Sequence, residues 1–157
     1  MKIIPLIVFA ITATADIPDT NAKILEFVNT VVGKQVGRGE CWDLAAAALD
    51  YSGAYLDRTN QKNIYIFGKE YNPKKDKVYP GDIIQIENLK IEYTKENMII
   101  TESMTHHTAI IYEVVDTDLY KIAHQNNNFS GRKVGISELR MNDIKKGTVT
   151  FYRPHKK

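Results

Sequence analysis

The sequence has little cysteine, little tryptophan and little net charge, so composition alone does not decide its function. Its 157 residues include one cysteine and one tryptophan, and its 21 basic side chains are nearly matched by 19 acidic ones, for a net charge of +2. A single cysteine excludes an internal disulfide and a paired-cysteine metal motif. The small net charge gives no electrostatic reason to expect a nucleic-acid or membrane-surface partner. There is no internal repeat, and the 43% hydrophobic content is that of one globular domain.

The N-terminus has the pattern of a secretory signal. Lys2 supplies a positive start, Ile3 to Thr12 is an apolar run, and Ala13-Thr14-Ala15 fits a small-residue cleavage site. We expect residues 1–15 to be a signal peptide, cut after Ala15, and residues 16–157 to form the exported domain; an uncleaved anchor is the alternative. The run is too short for a stable membrane span, and no second one follows. Removal of Lys2 would leave a net charge of +1.

The only cysteine stands where a glycine-rich turn becomes a helical run, Val36 to Leu49. Gly37 and Gly39 allow a tight turn, and the residues from Glu40 onward are strong helix formers. Cys41 would then lie in the first helical turn, where the helix dipole favours a thiolate. The alternative is a small buried hydrophobe. Export favours the catalytic interpretation, because a free thiol in an oxidising compartment is prone to oxidation unless it is buried or has a function.

Hydrophobic patterning predicts helices first and strands later. Asp19-Thr20-Asn21 offers cap residues for a first helix that ends at Gly33, and the Cys41 helix closes at Ser52-Gly53-Ala54. A polar stretch, residues 70–77, reads as a surface loop, and Tyr79-Pro80-Gly81-Asp82 as a turn. This order predicts an α+β fold with a mainly antiparallel sheet. The predicted strands are 63–68, 83–87, 90–93, 98–101, 108–115, 119–124 and 148–152.

Three histidines are predicted to meet at one edge of this sheet. His106 and His107 begin one strand and His124 ends the next, with Asp116-Thr117-Asp118 as the turn between them. If the two strands are antiparallel neighbours, the start of the first and the end of the second coincide. Such a cluster could supply a base for Cys41 and a group that orients the base. The fourth histidine, His155, lies in a polar tail and is the weakest candidate.

Four blocks carry a resemblance to known families. They are Gly39-Glu40-Cys41-Trp42, Pro80 to Ile84, His107 to Ile111, and His124-Gln125-Asn126. In this order they resemble the CHAP amidase/peptidase family and the related NlpC-type cell-wall peptidases, over Gly33 to about Tyr152. The first block, with the final Tyr152-Arg153-Pro154, also resembles the cysteine-proteinase-fold domain at the end of a fungal actin-patch protein and its secreted bacterial relatives.

The resemblance implies a papain-like fold in which the nucleophile helix packs on an antiparallel, barrel-like sheet. Matched block by block, Cys41 corresponds to the nucleophile and His107 to the base. His124 or Asn126 corresponds to the third catalytic residue, with a slight preference for His124. His106 then becomes a structural neighbour, and Trp42 a wall of the cleft or part of the core.

A separate candidate lies six residues before Cys41. Gln35 has the spacing at which papain-like proteases place the amide donor of the oxyanion hole, with the Cys41 backbone amide as the second donor. The alternative for Gln35 is an exposed polar residue at the end of a helix.

These features predict a secreted cysteine hydrolase that acts as a monomer, without cofactor or metal, on amide bonds of peptidoglycan peptides. Alternatives are a cysteine peptidase acting on proteins, an inert binding module on the same fold, and a zinc site formed by Cys41, His107 and His124. Asn128-Phe129-Ser130 is a glycosylation sequon that would matter only in a eukaryotic source.

Overall fold

The computed structural model describes residues 16–157, and the predicted signal peptide lies outside them. Neither helix in this part of the chain combines the length and hydrophobicity that crossing a bilayer requires. The chain forms helices α1 and α2, then six strands with one short 3-10 helix before the last strand. The bounds are α1 Asp19–Val31, α2 Cys41–Ser52, β1 Lys69–Tyr71, β2 Ile83–Lys95, β3 Met98–Asp116, β4 Leu119–His124, β5 Gly135–Arg140, the 3-10 helix Met141–Asp143, and β6 Ile144–Arg153.

Both predicted helices are present, with one difference in how the first begins. Pro18 stands at the cap position of α1, so Asp19 to Asn21 are already helical. Asn21 is fully buried and donates to the Pro80 carbonyl at 3.0 Å. The residues predicted to cap α1 therefore lie in its first turn, and Asn21 joins α1 to the turn before β2.

The strands form one antiparallel sheet in the order β1-β6-β2-β3-β4-β5. Strands predicted as 83–87 and 90–93 are one continuous strand, β2, and those predicted as 98–101 and 108–115 are both part of β3. Glu96 and Asn97, both with positive φ, form the turn between them. The polar residues between the predicted strands suggested breaks, but the pairing of β2 with β3 keeps one register through them. The pairing of β2 with β6 shifts register between Glu87 and Lys90 and again between Lys90 and Ile91.

Two local predictions are wrong. Residues 63–68 form turns, because Asn63 donates to the Asp57 carboxylate at 2.7 Å and its carbonyl accepts from the Ile66 amide at 3.0 Å. Strand β1 lies just beyond, in the stretch predicted as loop. Strand β5 was not predicted, since Ser137 and Glu138 interrupt the apolar alternation; the edge of β4 supplies its hydrogen-bond partners.

The two faces of the sheet have different partners. On one face, Ile83, Ile110 and Ala123 pack with the apolar residues of α1 and α2. The other face belongs to a second cluster formed between strands, in which the rings of Tyr120 on β4 and Phe151 on β6 lie 5.7 Å apart. Strands β6 and β4 are separated by β2 and β3, so a flat sheet would place them roughly 14 Å apart. The sheet therefore curls round the second cluster, and the barrel-like shape is confirmed.

A buried carboxylate joins α1 to the start of β2. Asp82 has no exposed surface and accepts hydrogen bonds from Asn21 on α1 at 2.9 Å and from Tyr71 on β1 at 2.5 Å. The Arg153 guanidinium contacts both of its carboxylate oxygens, at 2.5 and 3.0 Å. Burial and the Asp82 charge raise the pKa of the Tyr71 phenol, so it remains a donor to Asp82. One side chain thus ties α1, β1, β2 and β6 together.

We expect Asp82→Asn to lower the free energy of unfolding by about 3 kcal/mol, because it leaves the Arg153 charge without its partner. Urea unfolding at pH 7 measures this. Glu113→Gln is the matched control, since the Glu113–Lys121 pair at 2.7 Å is exposed and should change stability by less than about 1 kcal/mol. Equal small effects of both substitutions would contradict a central role for Asp82.

Candidate active site

Cys41 is the first residue of α2 and is partly exposed. The turn before it depends on glycine: Gly37 and Gly39 have φ of 56° and 83°. A Cβ on Gly39 would also lie 2.8 Å from the Cβ of Arg132. The predicted glycine turn before the Cys41 helix is therefore confirmed, and it presents the thiol at a helix N-terminus.

A buried glutamine that the sequence reasoning missed holds this turn. Gln125 has no exposed surface; its Oε1 accepts from the Val36 amide at 3.1 Å, and its Nε2 donates to the carbonyls of Val36 at 2.9 Å and Glu40 at 2.8 Å. It belongs to the His124-Gln125-Asn126 block, in which the predicted site residues are its two neighbours. Gln125 fixes the backbone on both sides of the glycine turn, and so positions Cys41.

Two carboxylates complete the support of the α2 N-terminus. Asp43 accepts from the backbone amides of Arg38 at 2.8 Å and Glu40 at 3.4 Å. The Glu40 carboxylate accepts from Asn126 Nδ2 and from Arg132, each at 2.7 Å. These contacts join the loop after β4 to the start of the helix. Asn126, predicted as an alternative third catalytic residue, is exposed and bound to Glu40.

Cys41 opens into a pocket of about 450 Å³. Trp42 forms part of its wall, as predicted, and donates from its indole nitrogen to the Ile64 carbonyl at 2.7 Å. The histidine in the lining is His106. The lining residues are Arg38, Glu40, Cys41, Trp42, Arg58, Ile64, Tyr65, His106 and Asn126.

His106 is held on several sides. Its Nδ1 lies 2.7 Å from the Glu87 carboxylate and 3.3 Å from Gln85 Nε2. The Tyr65 ring packs edge-on against the imidazole, with centroids 4.4 Å apart. Although partial burial opposes it, the hydrogen bonds from His106 and Gln85 hold the pKa of Glu87 below its usual range. Glu87 is therefore a carboxylate acceptor that fixes the orientation of the His106 ring.

His107 and His124 form the predicted pair, with 2.8 Å between Nε2 of the first and Nδ1 of the second. His124 Nε2 lies 2.6 Å from Ser137 Oγ, so a chain of three side chains runs across β3, β4 and β5. Both imidazoles are at least 95% buried. Burial, with the charge of His106, lowers the pKa of His107 to about 4; burial, with the charge of His107, lowers that of His124 to about 3.

The two neighbouring histidines of β3 lie on opposite faces of the sheet. Side chains alternate along a strand, and Ile110 packs with the helices whereas Ala109 and Ile111 pack in the inter-strand cluster. Pairing with β2 runs without a shift from Ile110 to His106. His106 therefore shares the helix-facing side, and His107 shares the other side with His124.

The remaining predicted positions are near the turn or distant from it. Gln35 is exposed and donates to the Gly37 carbonyl at 3.3 Å, outside the pocket lining. Its oxyanion role stays a prediction, as do the catalytic roles of His107 and His124. His155 is exposed in the C-terminal tail. Within residues 16–157, no group of three or more His, Cys, Asp or Glu side chains is arranged to hold a metal ion.

Comparison with known proteins identifies the family. Residues 19–157 match the family described as the AIM3/BBC1 cysteine proteinase-fold domain. The chain belongs to this family. A curated relative, Altered inheritance of mitochondria protein 3 of Debaryomyces hansenii, is 28% identical over 78% of this chain, and the match spans 14% of that protein's length.

Solved structures share the fold. The crystal structure of Ly7917 with the hydrolyzing product of MDP has a TM-score of 0.50 and 19% identity, covering 85% of this chain and 63% of that chain. A second crystal structure of Ly7917 has a TM-score of 0.48 and 21% identity, covering 84% and 62%. This AIM3/BBC1-type domain therefore has the papain-like architecture that its sequence resemblance implied, and its match covers less than two thirds of those chains.

The buried histidine pair predicts a loss of stability on mild acidification. In the folded protein His107 and His124 stay neutral down to about pH 4, whereas in the unfolded chain they bind protons below about pH 6.5. The unfolded state therefore binds more protons between these pH values, and the free energy of unfolding should fall by about 2 to 4 kcal/mol from pH 7 to pH 5. Urea unfolding at several pH values measures it.

His107→Gln should remove a large part of this pH dependence, and His155→Gln, at an exposed position, should leave it as it is. A stability that is flat between pH 7 and pH 5 in the unsubstituted protein would contradict the neutral buried pair.

Proposed function

We propose that this protein is an exported cysteine hydrolase that cleaves amide bonds in the peptides of peptidoglycan. The observation that carries the proposal is the position of Cys41. It is partly exposed, begins a helix, and opens into a pocket of about 450 Å³ that is also lined by the His106 imidazole. A cysteine with these surroundings has the electrostatic and steric requirements of a nucleophile.

The chemistry follows from these groups. The imidazole accepts the Cys41 proton, and the thiolate attacks the carbonyl carbon of the scissile amide. The leaving amine takes the proton back as the carbon–nitrogen bond breaks, and water, deprotonated by the same imidazole, then hydrolyses the thioester and restores the thiol. In this mechanism the Cys41 backbone N–H, at the start of α2, donates to the charge that develops on the carbonyl oxygen.

Three features support a peptidoglycan peptide as the substrate. The N-terminal sequence predicts export, which would bring the protein to the cell wall. The structural neighbour Ly7917 was crystallised with the hydrolyzing product of MDP. Arg38 and Arg58 line the Cys41 pocket, and each is paired with a carboxylate of α2, Asp43 at 3.0 Å and Asp50 at 2.9 Å. Their remaining guanidinium donors suit the carboxylates that such peptides carry.

Replacement of the nucleophile tests the activity. We expect the protein to convert muropeptides to shorter products, and Cys41→Ala and Cys41→Ser to lower the rate at least about 1,000-fold, because the thiolate forms the covalent intermediate. Mass spectrometry of timed digests measures the products. The matched control is His155→Gln, which changes an exposed histidine of the C-terminal tail. This variant should digest muropeptides at the rate of the unsubstituted protein. Identical digests from the unsubstituted protein and Cys41→Ala would contradict the proposal, and would favour an inert binding domain.

Export is tested separately. We expect the protein expressed from its full gene in a secreting host to be recovered outside the cells with Asp16 as its first residue, because Ala13-Thr14-Ala15 presents a small residue at the cleavage point. Intact-mass analysis of medium and cell fractions measures this. Ala15→Leu is the control and should block the cut. Recovery of uncleaved protein from the cell fraction alone would contradict export.

A further inference from the structure

We propose that His106, oriented by Glu87 and Gln85, is the general base for Cys41, and that the His107–His124–Ser137 chain is a structural element of the opposite face. This assignment rests on the proposed hydrolase function and departs from the match of His107 to the base.

The first argument is the position of α2 over the sheet. Gln125 follows β4 on the same side as Ala123, which packs with the helices, and it binds the Glu40 carbonyl directly before Cys41. The N-terminus of α2 is therefore anchored to the helix-facing side of the sheet. His106 is on this side, and His107 is not.

The second argument is access. His106 and Cys41 line the same pocket, and the His106 side chain is 40% exposed. His107 is 5% exposed, lies outside that lining, and uses its Nε2 in the contact with His124. A substrate bound in this pocket therefore contacts the walls formed by both Cys41 and His106.

The third argument is orientation. Glu87 accepts at Nδ1 of His106, which fixes the proton there and leaves Nε2 as the proton acceptor. Gln85 is itself fixed, because its Oε1 accepts from Thr108 at 2.7 Å and its Nε2 donates to Glu87 at 2.9 Å. His106 thus has the acidic partner and the ordered surroundings of a catalytic imidazole.

Glu87 acts here as a positioning residue, because it stabilises the imidazolium that forms when the thiol proton moves to His106. The other charged or titratable groups of the pocket lining are Arg38, Glu40, Arg58 and Tyr65, and the Tyr65 ring packs against the imidazole. Glu87 is the carboxylate within hydrogen-bond distance of the His106 ring, at 2.7 Å.

Alkylation of the only cysteine tests this assignment without a known substrate. The full protein and its variants are treated with iodoacetamide from pH 5 to pH 9, and the rate at Cys41 is followed by intact mass. In the unsubstituted protein, transfer of the Cys41 proton to His106 should make alkylation at pH 6.5 faster than that of a free-cysteine peptide. His106→Gln should move the profile toward that of an ordinary thiol, with a rate at pH 6.5 about tenfold lower.

Comparison of variants separates a positioning role from a structural one. Glu87→Gln alone should lower the rate at pH 6.5 by about threefold, and in a His106→Gln background it should cause no further loss. His155→Gln is the control with an unchanged profile. Urea unfolding of each variant shows that it is folded, and His106→Asn repeats the test with a shorter side chain.

The outcomes distinguish the two proposals. A larger shift of the profile in His107→Gln than in His106→Gln, with both proteins folded, would overturn the assignment of His106 while leaving the hydrolase proposal intact. A Cys41 that reacts no faster than a free-cysteine peptide at every pH would overturn both.

Discussion

The hydrogen bonds of the Asp82 carboxylate set the geometry on which the rest of the fold depends. Its donors come from α1, β1 and β6, and its own backbone leads directly into β2. Burial of the Asp82 carboxylate without these donors would cost several kcal/mol of folding free energy. The fold is therefore stable only when α1 packs on the sheet in the position that supplies them. The start of β2 fixes the register of β3 through the Ile83–Ile110 pair. That register decides which side of the sheet each histidine occupies.

Gln125 performs the corresponding task on the other side of the site. Its amide makes three hydrogen bonds to the backbone around the glycine turn, and none of its polar atoms is exposed. Loss of one partner would leave a buried donor or acceptor unpaired. Asp82 thus holds α1 on the sheet, and Gln125 holds the backbone at the start of α2, where Cys41 lies.

Much of the fold follows from local signals in the sequence. The glycine turn before Cys41, the two helices and the Pro80-Gly81-Asp82 turn depend on short-range chemistry, and all are present. The fused strands, β1 and β5 depend on pairing between distant segments, which periodicity does not record: β5 exists because β4 offers it an edge. Antiparallel pairing alone predicted that the histidines of β3 and β4 meet; this holds for His107 and His124, but His106 lies on the opposite face. Gln125 has no local signal in the sequence, because its three contacts are to backbone groups 85 to 89 residues away.

The histidines show why a motif match does not by itself assign a catalytic role. His106 and His107 are adjacent in sequence, yet alternation along β3 sends them to opposite faces, one toward the helices and one into the inter-strand cluster. The sequence records that two imidazoles start this strand; it does not record which face α2 covers. That information lies in the contacts of Ile110, Ala123 and Gln125, which connect β3 and β4 to the helices. A one-residue difference thus separates an imidazole in the Cys41 pocket from an imidazole whose burial keeps it neutral.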